Sequence, residues 1–305
     1  MNNIKRILFL IYLLSAFPVT QLRSQRIDVD VFMGMSNYQG DLQPLIFTVK
    51  NSHAAFGAIA KFALDEHFFI RSGYSYGNVA GSDKDNKNEL KYRNLSFQTK
   101  IHEFSLGLEY RLLSKESSKV TPYFFAGVGV FKFNPYTTDR NGNTVYLQPL
   151  GTEGQGLAEY PEKKPYKLTQ ISIPYGLGIK YYMSDLVNIG AEFRHTYAFS
   201  DYLDDVSGFY ADYNALLNNR GLETVQLAFR SDEIFPNRVY PNEGIRRGNP
   251  KLKDWYYFLG VTLGLAINNG NGESIFGKIF SNSFGGNGAG SKAERRRILK
   301  QVKCY

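Results

Sequence analysis

Apolar and polar residues alternate with a period of two in eight separate stretches of the chain, the pattern of strands that present different faces to different surroundings. The stretches are 27–35, 54–64, 68–77, 101–112, 123–131, 171–181, 187–197 and 255–267. In the fourth, Phe104, Leu106, Leu108, Tyr110 and Leu112 share one face, opposite Glu103, Ser105, Gly107, Glu109 and Arg111. In the last, Trp255, Tyr257, Leu259, Val261, Leu263 and Leu265 oppose Gly260, Thr262 and Gly264. Each stretch has about the 9–11 residues that a tilted strand needs to cross a bilayer.

The connections alternate in length. Tight turns at 65–66, 113–119 and 183–186 separate long segments at 37–53, 78–100, 134–170 and 198–254. Short turns at one end and long loops at the other are the arrangement of an outer-membrane barrel, with the chain ends and short turns on the periplasmic side. Charge decides between this and a soluble barrel, whose interior would be apolar. Ten charged residues fall on the glycine-bearing face: Asp28, Asp30, Lys61, Arg71, Glu103, Glu109, Arg111, Lys180, Glu192 and Arg194. On the apolar face only His102, Lys132 and His195 break the rule, all near the outer ends, where a lysine can snorkel to headgroups. The predicted fold is therefore all-β, an eight-stranded antiparallel transmembrane outer-membrane barrel with long extracellular loops. Aromatic residues near the strand ends, such as Phe62, Phe68, Tyr110, Tyr181 and Trp255, fit two interfacial girdles. Five acids and five bases facing a lumen only wide enough for side chains imply an ion-paired plug rather than an open pore.

Composition agrees with this picture: 22 Tyr, 23 Phe and 29 Gly in 305 residues suit exported β-sheet. The N-terminus reads as a signal peptide over 1–24, with Lys5 and Arg6 before the apolar run ILFLIYLL, which is too short to span as a helix. The barrel then occupies 25–267. A Gly/Asn-rich linker and basic tail follow over 268–305, where Arg295, Arg296, Arg297 and Lys300 are the candidate contact for an acidic partner or for phospholipid. The single cysteine, Cys304, rules out an intrachain disulfide and a cysteine metal cluster. The net charge of +8 does not point to nucleic acid, which an exported chain rarely meets.

The stretch SDYLDDVSGFYADYN, 200–214, is the one place where acids crowd. Its spacing does not match a calcium-binding loop, and no carboxylate pair is set for glycoside chemistry. Asp204, Asp205 or Ser207 can instead cap a short helix ending at Gly221. In a closed barrel the first and last strands pair, so this stretch meets the segments around 37–42 and 244–258 at the outer rim. An outer-rim cluster is expected there in which Asp41, Asp201, Asp204 and Asp205 meet Arg246 or Arg247 and hold a lid shut. A lipid-modifying enzyme would need a histidine with a serine and an acid near the outer leaflet, and the candidates are His195 with Ser200 or His102 with Glu103. An adhesive barrel would use its long loops, above all 140–164. The favoured expectation is no catalytic centre, no cofactor and no metal.

The segments NYQGDL (37–42), DYLDDVSG (201–208) and RGNPKLKDWYYF (247–258), taken with the signal and in this order, resemble the PorG family, outer-membrane barrels of the type IX secretion system of Bacteroidetes. The resemblance spans essentially the whole mature chain. It implies a non-enzymatic subunit associated with outer-membrane lipid and with the periplasmic ring of the PorK lipoprotein and PorN, in a system that exports proteins with C-terminal signals and supports gliding motility in some members. Since that ring is periplasmic, the resemblance implies contact through the short turns or the tail.

Overall fold

The computed structural model describes residues 26–45, 48–86, 88–251 and 253–268. The signal peptide expected over 1–24 and the tail from 269 onward, with Arg295, Arg296, Arg297, Lys300 and Cys304, lie outside the described residues.

Eight long strands form a ring. They are β1 (Ile27–Gln39), β2 (Ser52–Ala63), β3 (Phe68–Ser82), β4 (Ser96–Arg111), β5 (Val120–Lys132), β8 (Thr169–Tyr182), β9 (Val187–Ala198) and β10 (Trp255–Asn268). Each pairs antiparallel with its neighbour, and the ring closes where β1 meets β10 in continuous register from Asp28↔Ala266 to Gln39↔Trp255. This is a closed eight-stranded antiparallel barrel, as the alternation predicts. Two three-residue strands, β6 (Tyr136–Thr138) and β7 (Thr144–Tyr146), form a hairpin that joins the outer end of β4 through Gln98↔Tyr136. The alternation does not predict them. A three-residue strand carries too little alternation to be read as one.

The outer surface is apolar. Phe104, Val128 and Val261 are 65%, 62% and 61% exposed, in company with Met33, Leu106 and Leu263. Water would penalise such a belt, whereas hydrocarbon accepts it without cost. Two paired outward residues, Asn37 and Tyr257, are buried instead. Tyr257 is buried because the first long loop folds down over the wall, and its hydroxyl donates to the Thr48 carbonyl at 2.7 Å.

The inside is filled in layers. Eight of the ten charged residues gather toward the short turns, and Glu103 and Arg194 stand higher, against Tyr256 and Phe258. Toward the outer end, Phe32, Phe97, Ile101, Phe131, Phe133, Tyr256 and Phe258 form an aromatic core continuous with Leu203, Val206 and Leu227 of the last loop. The plug is thus ionic below and aromatic above, rather than ionic throughout. Gly107 and Gly127 lie opposite each other on β4 and β5, and a side chain on either would run into the backbone of the other strand. Their bareness leaves room for the Arg71 guanidinium, which packs 3.8 Å above the centre of the Phe125 ring.

The last long loop carries two short helices, α1 (Tyr213–Arg220) and α2 (Leu222–Ala228). The cap of α1 is Asp212, whose carboxylate accepts the Ala215 N–H at 2.8 Å, not Asp204, Asp205 or Ser207. Gly221, with φ 90°, ends the helix as expected. The capping residue must sit directly ahead of the first turn, and the earlier acids are held elsewhere.

Candidate functional site

All ten charged residues on the glycine face are buried in the lumen. Parity along each strand puts them there, and pairing makes their burial tolerable. Glu109 is the hub. One of its oxygens accepts Arg111 Nε at 3.0 Å, and the other faces Lys61 Nζ at 2.9 Å and Arg71 at 3.2 Å. Lys61 and Lys180 converge on one oxygen of Asp30, at 2.6 and 2.8 Å. Arg111 reaches on to Asp28 at 3.0 Å and to the Tyr182 hydroxyl at 3.0 Å. Arg71 holds Glu192 at 2.5 Å, and Glu192 accepts the Tyr123 hydroxyl at 2.8 Å. Glu103 and Arg194 stand apart from this chain. Their closest approach is 3.8 Å, Glu103 accepts the Tyr256 hydroxyl, and Arg194 donates to Ser75 at 2.6 Å.

Aromatic rings complete the packing. Arg111 lies 3.4 Å over Phe69 and Arg194 4.3 Å over Phe258, while both lysines stand near Tyr123. Charge reasoning alone misses these rings, although they share strand parity with the charges they cover. A guanidinium over an aromatic face is stabilised by the ring quadrupole, most strongly where water is excluded.

At the outer end three distant segments meet at one hydroxyl. Tyr38, at the end of β1, lies 2.5 Å from Asp204 Oδ2 and 3.1 Å from Asp254 Oδ1. The other oxygen of Asp204 accepts the Val206 N–H, and that of Asp254 accepts the Leu203 N–H. A phenol has one proton to give, so two carboxylates sharing it need a proton of their own. Burial, reinforced by neighbouring acids, accordingly drives both carboxyls well above their ordinary range.

Arg247 is the second fastening. It donates to Glu153 at 3.0 Å and to the Asp205 carbonyl at 2.6 Å, and it lies 3.8 Å from the Asp205 carboxylate. Asp205 adopts φ 65°, a left-handed conformation that aspartate tolerates. Its carboxylate accepts the hydroxyls of Thr152 at 2.5 Å and Tyr166 at 2.7 Å. Glu153 also caps the Ser207 and Gly208 N–H groups. Arg93, bound to Asp83 at 2.8 Å, reaches the carbonyls of Asp41 and Arg247 and ties in the β3–β4 loop.

The expected rim cluster thus forms in part and with different partners. Arg247 meets Asp205. Asp201 is instead held by Ser207 Oγ at 2.6 Å, and Asp204 by Tyr38. Asp41 accepts the Asn249 N–H, and Arg246 donates to the Gly248 carbonyl. Asp204 is buried beside Tyr38 of the aromatic core and Asp201 is buried against Ser207, whereas Arg246 is exposed. The sequence alone does not single out Glu153, Tyr38, Arg93 or Asp254, although Tyr38 and Asp254 lie within NYQGDL and RGNPKLKDWYYF, because their partners lie far along the chain.

The proposed Ser–His and His–Glu pairs do not form. His195 stacks on Trp255 at 4.7 Å on the outer face and its Nδ1 has no partner, whereas Ser200 Oγ accepts the Tyr202 N–H on the lid side. His102 meets the Tyr74 hydroxyl outside the wall, while Glu103 faces the lumen. The middle of the 140–164 segment folds into the lid, while 140–144 stays exposed. Thr152, Glu153, Gln155 and Leu157 are buried within the lid.

The lid carries a pH dependence of definite sign. Burial pushes Asp201 up to about 7, aided by Asp41 and Glu153 against Lys253 and the Ser207 hydroxyl. Burial likewise pushes Asp205 up to about 6 against Arg247, Thr152 and Tyr166. A folded state that holds protons which the unfolded loop has released is stabilised below the unfolded value of 3.8 and loses that stability as pH rises through 6 to 7. Hydrogen exchange of 199–212, corrected for its intrinsic pH dependence, is expected to accelerate between pH 5 and 8. A flat profile would refute the assignment.

Among solved structures, the chain resembles Neisserial surface protein A at 10% identity, covering 78% of this chain and 96% of that one with a TM-score of 0.38. It resembles a major outer membrane protein of Thermus thermophilus at 14% identity, with 79% and 99% covered and a TM-score of 0.39. It also resembles the outer membrane protease OmpT of Escherichia coli at 10% identity, with 79% and 96% covered and a TM-score of 0.34. No curated protein matches the chain. The profile of a family described as Domain of unknown function (DUF6089) matches residues 5–220.

Proposed function

The chain belongs to the DUF6089 family, and from that premise we propose that it is a non-enzymatic outer-membrane barrel, closed to solutes, that serves as an anchor within the type IX secretion apparatus. Its outer-membrane location is supported by the apolar belt around an ionic interior, the reverse of a soluble barrel. The anchoring role is supported by one observation above the others. NYQGDL, DYLDDVSG and RGNPKLKDWYYF supply Tyr38, Asp204 and Asp254, and these three side chains meet at a single hydroxyl. Sequence features that resemble the secretion family are therefore the parts of one latch. A conduit reading is disfavoured because the lumen is packed with paired charge and aromatic rings and lidded by the 199–254 loop.

Two measurements separate the parts of this proposal. In planar bilayers the purified full chain is expected to give no conductance steps, and discrete channel openings would overturn the closed reading. In its host, deletion of the gene is expected to block release of cargo with C-terminal signals. Normal release would remove the secretion role and leave the barrel intact. Binding to a PorK/PorN-like ring is expected to use the short turns 64–67, 112–119 and 183–186 or the tail.

A further inference from the structure

Among outward-facing positions on the barrel strands, only Lys100 and Lys132 carry a lysine, arginine, aspartate or glutamate. They lie on adjacent strands, and His102 stands directly opposite Lys132 in the β4–β5 register. Together the three line a cavity of about 370 Å³ in which no carboxylate takes part. The β6–β7 hairpin roofs it, fixed by Tyr136, whose hydroxyl donates to Gln98 at 3.0 Å. Lys100 and Lys132 bring two ammonium groups to one cavity with no carboxylate to offset them, and like charges so placed repel unless an anion lies between them. Elsewhere the outer rim is aromatic, as at Tyr197 and Trp255. A general girdle would spread its lysines around the barrel. This one gathers them in a single roofed sector.

Directly beneath, Phe104 and Leu106 on β4 and Val128 and Val130 on β5 stand at least half exposed. Basic groups above an apolar wall match the two ends of a lipid, a phosphate and its acyl chains. We propose that this sector binds a phosphate-bearing lipid of the surrounding leaflet, with Lys100, His102 and Lys132 at the phosphate and the acyl chains on the wall below. The proposal rests on the outer-membrane reading above.

The test uses the full chain inserted in phosphatidylcholine nanodiscs and exposed to lipid A with its phosphates, to dephosphorylated lipid A, or to inorganic phosphate, with retained ligand read by native mass spectrometry. The wild type is expected to retain phosphorylated lipid A about tenfold better than the dephosphorylated form. Lys100→Gln with Lys132→Gln should abolish the preference, while Lys84→Gln with Lys91→Gln in the β3–β4 loop should keep it. Heat-modified gel mobility confirms that both variants are folded. Equal retention of the two lipids, or an unchanged preference in the Lys100/Lys132 variant, overturns the proposal. So does inorganic phosphate binding as tightly as the lipid, which would make the ligand a soluble anion. A chain that inserts but shows no preference sinks only this inference, whereas one that fails to insert sinks the membrane reading as well.

Discussion

Glu109→Gln is expected to destabilise the barrel by about 3–5 kcal/mol, the cost of breaking a buried ion pair from one side. The side chain keeps its shape, so packing is conserved. What changes is that Lys61, Arg71 and Arg111 lose the anion they share. The amide also turns a donor toward groups that are themselves donors, which leaves hydrogen bonds unmade among fully buried side chains. Urea or thermal unfolding in detergent micelles, followed by heat-modified mobility, measures the loss. Lys61→Met added to Glu109→Gln should recover part of it, because it removes the one cation left in excess while Lys180 still neutralises Asp30. The double variant is therefore expected to lie well short of the sum of the two singles. An unchanged midpoint for Glu109→Gln would mean that the lumen is wet and its pairs screened.

Arg247→Ala is the corresponding experiment on the lid, and the expected loss is of the same order, about 3–5 kcal/mol, confined to the loop. The alanine leaves Glu153 and Asp205 buried without their cation, and it vacates donors to the carbonyls of Asp205 and Ala228. Arg247 now opposes the burial that raises the Asp205 carboxyl, so its loss moves that group further up and makes protonation the remaining route to neutrality. Hydrogen exchange in 199–254 should accelerate by about a hundredfold or more. The β1–β10 seam should retain its protection, since its ladder does not depend on the lid. Arg247→Lys keeps the charge but not the fork of donors and should fall between. Wild-type exchange rates in Arg247→Ala would show that the lid is held by its apolar contacts alone.

How far the sequence discloses such features depends on the range of the interaction. The eight strands are legible because strand parity is local: residues two apart share a face, and the bilayer demands that one face be apolar. Strand ends are less so. Ser96 to Lys100 and Asn78 to Ser82 continue the ladder above the belt, where no apolar requirement marks them. The rim latch is legible only in outline. Closure of the ring brings the right segments together, and Arg247 and Asp205 meet. The partners that complete it are bonded across great separations. Glu153 and Arg247 stand 94 positions apart, and Tyr38 and Asp204 stand 166 apart. No spacing rule spans such intervals, and GTEGQG, which carries Glu153, reads as an ordinary loop.

The position of Tyr38 sets an order of events during biogenesis. Its hydroxyl belongs to the first barrel strand, and Asp254 immediately precedes the last. Until those two strands zip together, the aspartates remain hydrated and ionised. Joining the ends is what strips their water and makes the shared proton worthwhile. The cover can therefore settle only on a cylinder that has already been completed, so a stalled, half-wound intermediate would be distinguishable from the finished product by an unfastened top.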